Sequence, residues 1–89
     1  MKNNYVLITG GLGRVGESLS NFLLSNDYNV IIFDLNKNIP PKFQKYVASK
    51  RLIFKSFDCL NLNKFKSKLT DLKKLNIFGY VNCLYPKSK

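Results

Sequence analysis

Histidine is missing from all 89 residues, so neither a metal site nor a Cys-His nucleophile has support. Cysteine is nearly as scarce. Cys59 and Cys83 fall near the ends of the third and fourth strand-like runs. In the strand order expected below, those runs lie three spacings apart, about 14 Å at roughly 4.8 Å per step. A disulfide needs Cα atoms within about 7 Å, so two reduced, partly buried thiols are expected. No apolar run approaches the roughly 20 residues of a membrane span. The N-terminus lacks the basic segment, apolar core and small-residue cleavage site of a secretory signal, which makes a cytoplasmic location without a membrane partner the expectation. Repeats, low-complexity linkers and shifts of composition are also absent. Residues 1–89 therefore read as one small domain, and a hydrophobic fraction of 45% argues against intrinsic disorder.

Acidic residues are few as well: five against fifteen lysines and arginines, for a net charge of +10. That imbalance invites a nucleic-acid hypothesis. Its texture argues otherwise. Only Arg14 and Arg51 carry a guanidinium able to fork onto phosphate, and the lysines are spread along Lys42, Lys45, Lys50, Lys55, Lys64, Lys66, Lys68, Lys73 and Lys74. Plentiful asparagine and isoleucine suggest AT-rich coding as the source of the lysine. No specific nucleic-acid partner is expected, only weak polyanion binding at low salt.

Glycine is the scarce residue that is not scattered. Thr9-Gly10-Gly11-Leu12-Gly13-Arg14-Val15-Gly16 forms a glycine-rich turn between the apolar run Val6-Leu7-Ile8 and a helical pattern carried by Val15, Leu19, Phe22 and Leu23. Gly10 suits a tight turn out of a strand, Gly13 has no Cβ to hold phosphate away from the backbone, and Gly16 allows close packing of helix on sheet. Backbone N–H groups and the helix dipole would then face the pyrophosphate of a dinucleotide. The alternative is a glycine turn made for structural reasons alone. Val30-Ile31-Ile32-Phe33 ends in Asp34, about 20 residues beyond the turn, where a dinucleotide fold places the acid that binds the adenosine ribose. A carboxylate there accepts from the ribose hydroxyls and repels a 2′-phosphate. The expectation is NAD, with NADP kept open by the nearby Lys37. A solvated acid at a strand end is the other reading of Asp34.

Strand-like runs cover Tyr5 to Thr9, Asn29 to Phe33, Leu52 to Phe57 and Ile77 to Leu84. Helices are expected at about Gly13 to Ser25, at Pro41 to Ser49 after a Pro40-Pro41 start, and where Leu62, Phe65, Leu69, Leu72 and Leu75 recur behind an Asn61 cap. The lysines opposite that last stripe read as a solvated face. Alternating strands and helices with right-handed crossovers predict an α/β fold, a parallel sheet in order 3-2-1-4 with flanking helices. The crevice would open at the carboxyl ends, between strands 1 and 4.

Together these residues resemble the N-terminal part of a short-chain dehydrogenase/reductase, over essentially the whole chain, and so a partial Rossmann fold. The turn from Thr9 to Gly16 is similar to the Thr-Gly-x-x-Gly-x-x-Gly form of the family's extended, NAD-dependent epimerase/dehydratase branch. Phe57-Asp58-Cys59-Leu60-Asn61 resembles the stretch whose Asp side chain and following backbone meet the adenine ring. Tyr80-Val81-Asn82-Cys83-Leu84-Tyr85-Pro86 resembles the fourth-strand Val-Asn-Asn-Ala segment, including a variant in oxidoreductases of surface-sugar biosynthesis; Cys83 and Leu84 depart from it. The resemblance implies cofactor contacts at Gly10, Gly11, Leu12, Gly13, Arg14, Val15, Gly16, Asp34, Asp58, Cys59 and Asn82.

The family's proton-transferring Tyr and Lys stand one turn apart on a later helix, with a Ser or Thr earlier. Tyr85-Pro86-Lys87-Ser88-Lys89 matches Tyr-x-x-x-Lys literally. It follows the fourth strand directly and contains a proline, so it is read as coincidence. The expectation is a truncated product or half of a split protein that binds NAD without turnover alone. The alternative is an interaction subunit whose fourth-strand edge pairs with a complementary C-terminal chain or a second copy.

Overall fold

The computed structural model describes residues 4–84. β1 (Asn4–Thr9) and β2 (Asn29–Asp34) form the centre of the sheet, and almost every residue in them is buried. Such strands are covered on both faces, so their sequences run as continuous aliphatics instead of alternating with polar residues. Val6 stands opposite Val30, and Ile8 opposite Ile32. β3 (Leu52–Ser56) pairs with β2, and β4 (Asn76–Asn82) pairs with β1. All pairs are parallel and the order is β3-β2-β1-β4, as the alternation of elements predicts.

Side chains along each strand alternate between two cores. One holds Tyr5, Leu7, Ile31 and Phe33 beneath α3 (Leu62–Asp71), which contributes Phe65 and Leu69. Phe33 meets Phe57 and Phe65 edge to face, with ring centres 4.9 and 5.6 Å away. The other core holds Val6, Ile8, Val30 and Ile32 beneath α1 (Arg14–Ser25), whose Leu19, Leu23 and Leu24 face inward. Phe43 and Tyr46 close that face from α2 (Gln44–Ala48) and the single 3₁₀ turn before it, Pro41–Phe43. Among the described residues no helix is long and apolar enough to cross a membrane.

The first three strands shift by at most one residue at an end, and three elements differ more from the sequence expectation. The second helix is split, because Pro40 and Pro41 lead into a 3₁₀ turn before the α-helical residues begin. The third helix stops at Asp71, although its apolar spacing runs on to Leu75. Leu72 and Leu75 still cover the core, but from i to i+3 turns that bond Leu72 N–H to Leu69 O and Leu75 N–H to Leu72 O. The fourth strand starts one residue earlier and ends at Asn82, and it contains a bulge. Ile77 pairs with Tyr5 and Gly79 with Val6, so Phe78 has no partner on β1; its ring stacks on Tyr28, 6.2 Å between centres.

One of the two arginines serves the fold. Arg51, at the entry to β3, donates from Nη2 to Leu24 O and Tyr28 O, both at 2.8 Å, and its guanidinium lies 5.1 Å from the Tyr46 ring. It thus ties the end of α1 to the amino-terminal rim of the sheet. Arg14 lies at the other rim, exposed in the first turn of α1.

Candidate functional site

At the carboxyl end of β1 the chain reverses at Gly10, whose φ of +73° suits glycine. Gly10 N–H donates to Phe33 O (2.8 Å), Gly13 N–H to Gly10 O (3.1 Å), and Glu17 N–H to Gly13 O (2.7 Å). Gly13 is the N-cap of α1, and no side chain caps that helix. The first turn therefore presents its N–H groups and the positive end of the helix dipole beside the sheet.

The four glycines of the turn are there for different reasons. A Cβ on Gly10 would stand 2.9 Å from the backbone of Cys83 and Leu84, where the chain leaves β4. A Cβ on Gly11 would press the Ile32 side chain at 2.7 Å, and one on Gly16 would sit 2.1 Å from Gly10 O. These three are fixed by packing within the protein. Gly16 admits the helix against the turn itself, closer in than the sheet. Gly13 is different. Its φ of −74° suits any residue, and an added Cβ would meet only Gly10 O at 3.5 Å.

Asp34 joins the turn to the end of β2. Its Oδ2 accepts from Leu12 N–H and its Oδ1 from Asn36 N–H, each at 2.9 Å. Asp58 is exposed, and its Oδ1 accepts from Leu60 N–H at 3.0 Å. Cys59 lies buried between these acids and the core. Its burial, together with the charges of Asp34 and Asp58, pushes the thiol up from its ordinary 9.0 to about 11. The thiol is therefore protonated at neutral pH and is not a nucleophile there. Cys83 packs at the opposite face of the sheet, and both cysteines are free.

Asn82 lies on the other side of the turn, at the end of β4. Its Oδ1 accepts from Thr9 Oγ1 (2.8 Å) and from Leu84 N–H (3.0 Å). With the Thr9 proton directed at Asn82, the Tyr80 hydroxyl at 3.2 Å donates to Thr9 Oγ1. Cys83 N–H continues the ladder to Thr9 O at 2.7 Å.

The fold thus brings Gly10, Gly11, Leu12, Gly13 and Gly16 into one turn, with Arg14 and Val15 exposed on its helical side. Asp34 is bonded directly to that turn, Asn82 flanks it through Thr9, and Cys59 is buried close enough to Asp34 and Asp58 to feel both charges. Thr9 and Tyr80 stand within the sequence motifs but have no site role in the sequence reading, and Ser20 is not named there. Ser20 is fully buried; its hydroxyl donates to Gly16 O at 2.7 Å and stands 3.5 Å from Gly11 O, which pins helix to turn. A serine one turn after Gly16, on the apolar side of the helix, was the available signal. For Thr9 it was a hydroxyl closing an otherwise apolar strand. The Tyr85-x-x-x-Lys89 match lies outside the described residues. Among those residues, no three His, Cys, Asp or Glu side chains gather into a group that could hold a metal ion.

No model of a known protein family matches the chain. It is similar to post-translational flagellin modification protein A of Campylobacter coli, at 28% identity over 99 residues, an alignment that takes in all of this chain and 37% of that protein. The chain therefore spans little more than a third of the length of this curated relative.

Proposed function

We propose that the chain is the NAD-binding part of an oxidoreductase or nucleotide-sugar epimerase/dehydratase of the short-chain dehydrogenase/reductase type. In this reading the first turn of α1 binds the pyrophosphate, Asp34 the adenosine ribose, and Asp58 with the Cys59 backbone the adenine. Asn82 borders the nicotinamide half. In this reading these residues supply binding. The likeness to post-translational flagellin modification protein A supports a dehydrogenase- or epimerase-like family.

Gly13 carries the reading. Packing accounts for glycine at 10, 11 and 16 without any ligand, but not at 13, where a side chain would have room. A glycine is expected there if a phosphate needs that room at the bare N-cap of α1. Calorimetric titration with NADH and NADPH tests this directly. Gly13→Val should abolish NADH binding while the melting temperature changes little, because extended backbone at φ −74° accepts valine. NADH binding that survives in the folded variant would remove the pyrophosphate from this turn. NADH should also bind more tightly than NADPH, since Asp34 repels a 2′-phosphate.

A second reading is favoured by β4, where Phe78 is 49%, Tyr80 55% and Val81 37% exposed. An apolar edge strand of this kind recruits another strand, so a complementary chain or a second copy would pair beside it. Sedimentation at high concentration separates the readings: a sharply monomeric protein that still binds NADH leaves only the first.

A further inference from the structure

We propose that Asp34 is a positioning residue for the glycine turn, holding it in its anion-binding shape before any ligand arrives. The inference deepens the dinucleotide reading and rests on it for the identity of the ligand, but not for the ordering of the turn.

The geometry is specific. One carboxylate serves two backbone amides that lie 24 residues apart in the chain: Oδ1 takes Asn36 N–H, a local turn two residues on, and Oδ2 takes Leu12 N–H across 22 residues. The first bond fixes the side chain to its own backbone. The second spends that fixed orientation on the turn. Leu12 stands between Gly11 and Gly13, the stretch with the greatest backbone freedom at the site, and Gly13 has no side chain to hold it. The Leu12 side chain packs on the core and Gly13 N–H donates to Gly10 O, and the Leu12 N–H between them is the amide that Asp34 holds. Only a carboxylate fits this double duty. Asparagine has one acceptor oxygen, which the local turn to Asn36 would claim, leaving an N–H₂ group facing Leu12 N–H.

The assignment makes a prediction opposite in sign to simple electrostatics. A negative charge beside an anion site weakens anion binding, so removing Asp34 should by charge alone tighten a phosphate ligand. If Asp34 instead holds the turn, its loss weakens even a ligand that never touches it. Inorganic pyrophosphate, which has no ribose, is the probe. Asp34→Ala and Asp34→Asn should both bind it more weakly than the unmodified chain.

Hydrogen exchange in the ligand-free protein provides the readout that needs no ligand. The Leu12 amide should exchange about tenfold faster in both variants, the equivalent of losing one bond to a charged acceptor. The amides of β1 and β2 should keep their protection, which separates a loosened turn from general destabilisation. Unchanged exchange at Leu12 in Asp34→Ala overturns the inference, as does tighter pyrophosphate binding by that variant. If the unmodified chain binds neither pyrophosphate nor NADH, the dinucleotide reading fails, while the exchange measurement still decides whether Asp34 orders the turn.

Discussion

β2 and β4 flank the same strand, β1, and both pair with it in parallel, yet they live in different surroundings. β2 is buried from Asn29 to Phe33, while β4 alternates between half-buried and exposed and shows Phe78, Tyr80 and Val81 to solvent. Part of the contrast is position in the sheet: β2 is paired on both sides, with β1 and β3, whereas β4 stands at the edge and is paired with β1 alone. Cover by side chains adds to it. β2 lies between α1 and α2 on one face and α3 on the other, whereas β4 is held by Ile77, by a bulge packed on Tyr28, and by the polar contacts of Thr9 with Tyr80 and Asn82. The carboxyl end of β2 is consequently built into the core, while that of β4 is held mainly by hydrogen bonds.

The most direct way to break this comparison is to truncate one side chain in each strand on the same face. Ile32 is fully buried, and Ile32→Ala should cost about 3–4 kcal/mol, enough to unfold much of a domain this small. Val81→Ala should cost about 1 kcal/mol or less, because its side chain is already 37% exposed. Equal losses in denaturant titration would mean that β4 is as well packed as the centre of the sheet.

Within the turn, Gly16→Ala comes next, at about 3 kcal/mol, because the new methyl would sit 2.1 Å from Gly10 O and neither backbone can retreat without moving β1 or α1. Gly13→Ala should leave stability within about 1 kcal/mol. Melting curves that rank these two the other way would show that packing, not a ligand, selects glycine at 13.

The smallest effect is one of pH. The Cys59 thiol ionises near 9.0 in an unfolded chain and near 11 in the fold, so the folded state favours the protonated form. That contribution is complete below pH 9 and fades as pH rises toward 11, where the buried thiol also ionises. Cys59→Ala should flatten the part of the stability loss between these values that its parent shows beyond lysine titration. Parallel curves for the two proteins would place Cys59 in a more open setting.

Much of this was legible in the sequence, and the reasons are local. Aliphatic runs gave the strands, their alternation with helical stripes gave the order 3-2-1-4, and the glycine spacing marked the turn, while the bond from Leu12 N–H to Asp34 appeared only in the structure. What escaped depends on contacts between distant segments. The end of α3 at Asp71 escaped because Leu72 and Leu75 keep the apolar rhythm while the backbone tightens into turns that still cover Phe33 and Phe57. The bulge at Phe78 comes with a stack on the Tyr28 ring, about fifty residues earlier in the chain, and no period along β4 announces it. The roles of the glycines also needed coordinates: spacing groups Gly10, Gly13 and Gly16 together, while geometry sets Gly13 apart.

The central claim is that the bare first turn of α1 receives a dinucleotide, and amide chemical shifts followed during titration with NADH test it most directly. The account predicts the largest shifts at Leu12, Gly13, Arg14 and Val15, smaller ones at Asp58 and Asn82, and none at Arg51 on the opposite rim of the sheet. Saturable binding whose shifts fall instead on the lysines of α3, or no binding at all, would contradict it.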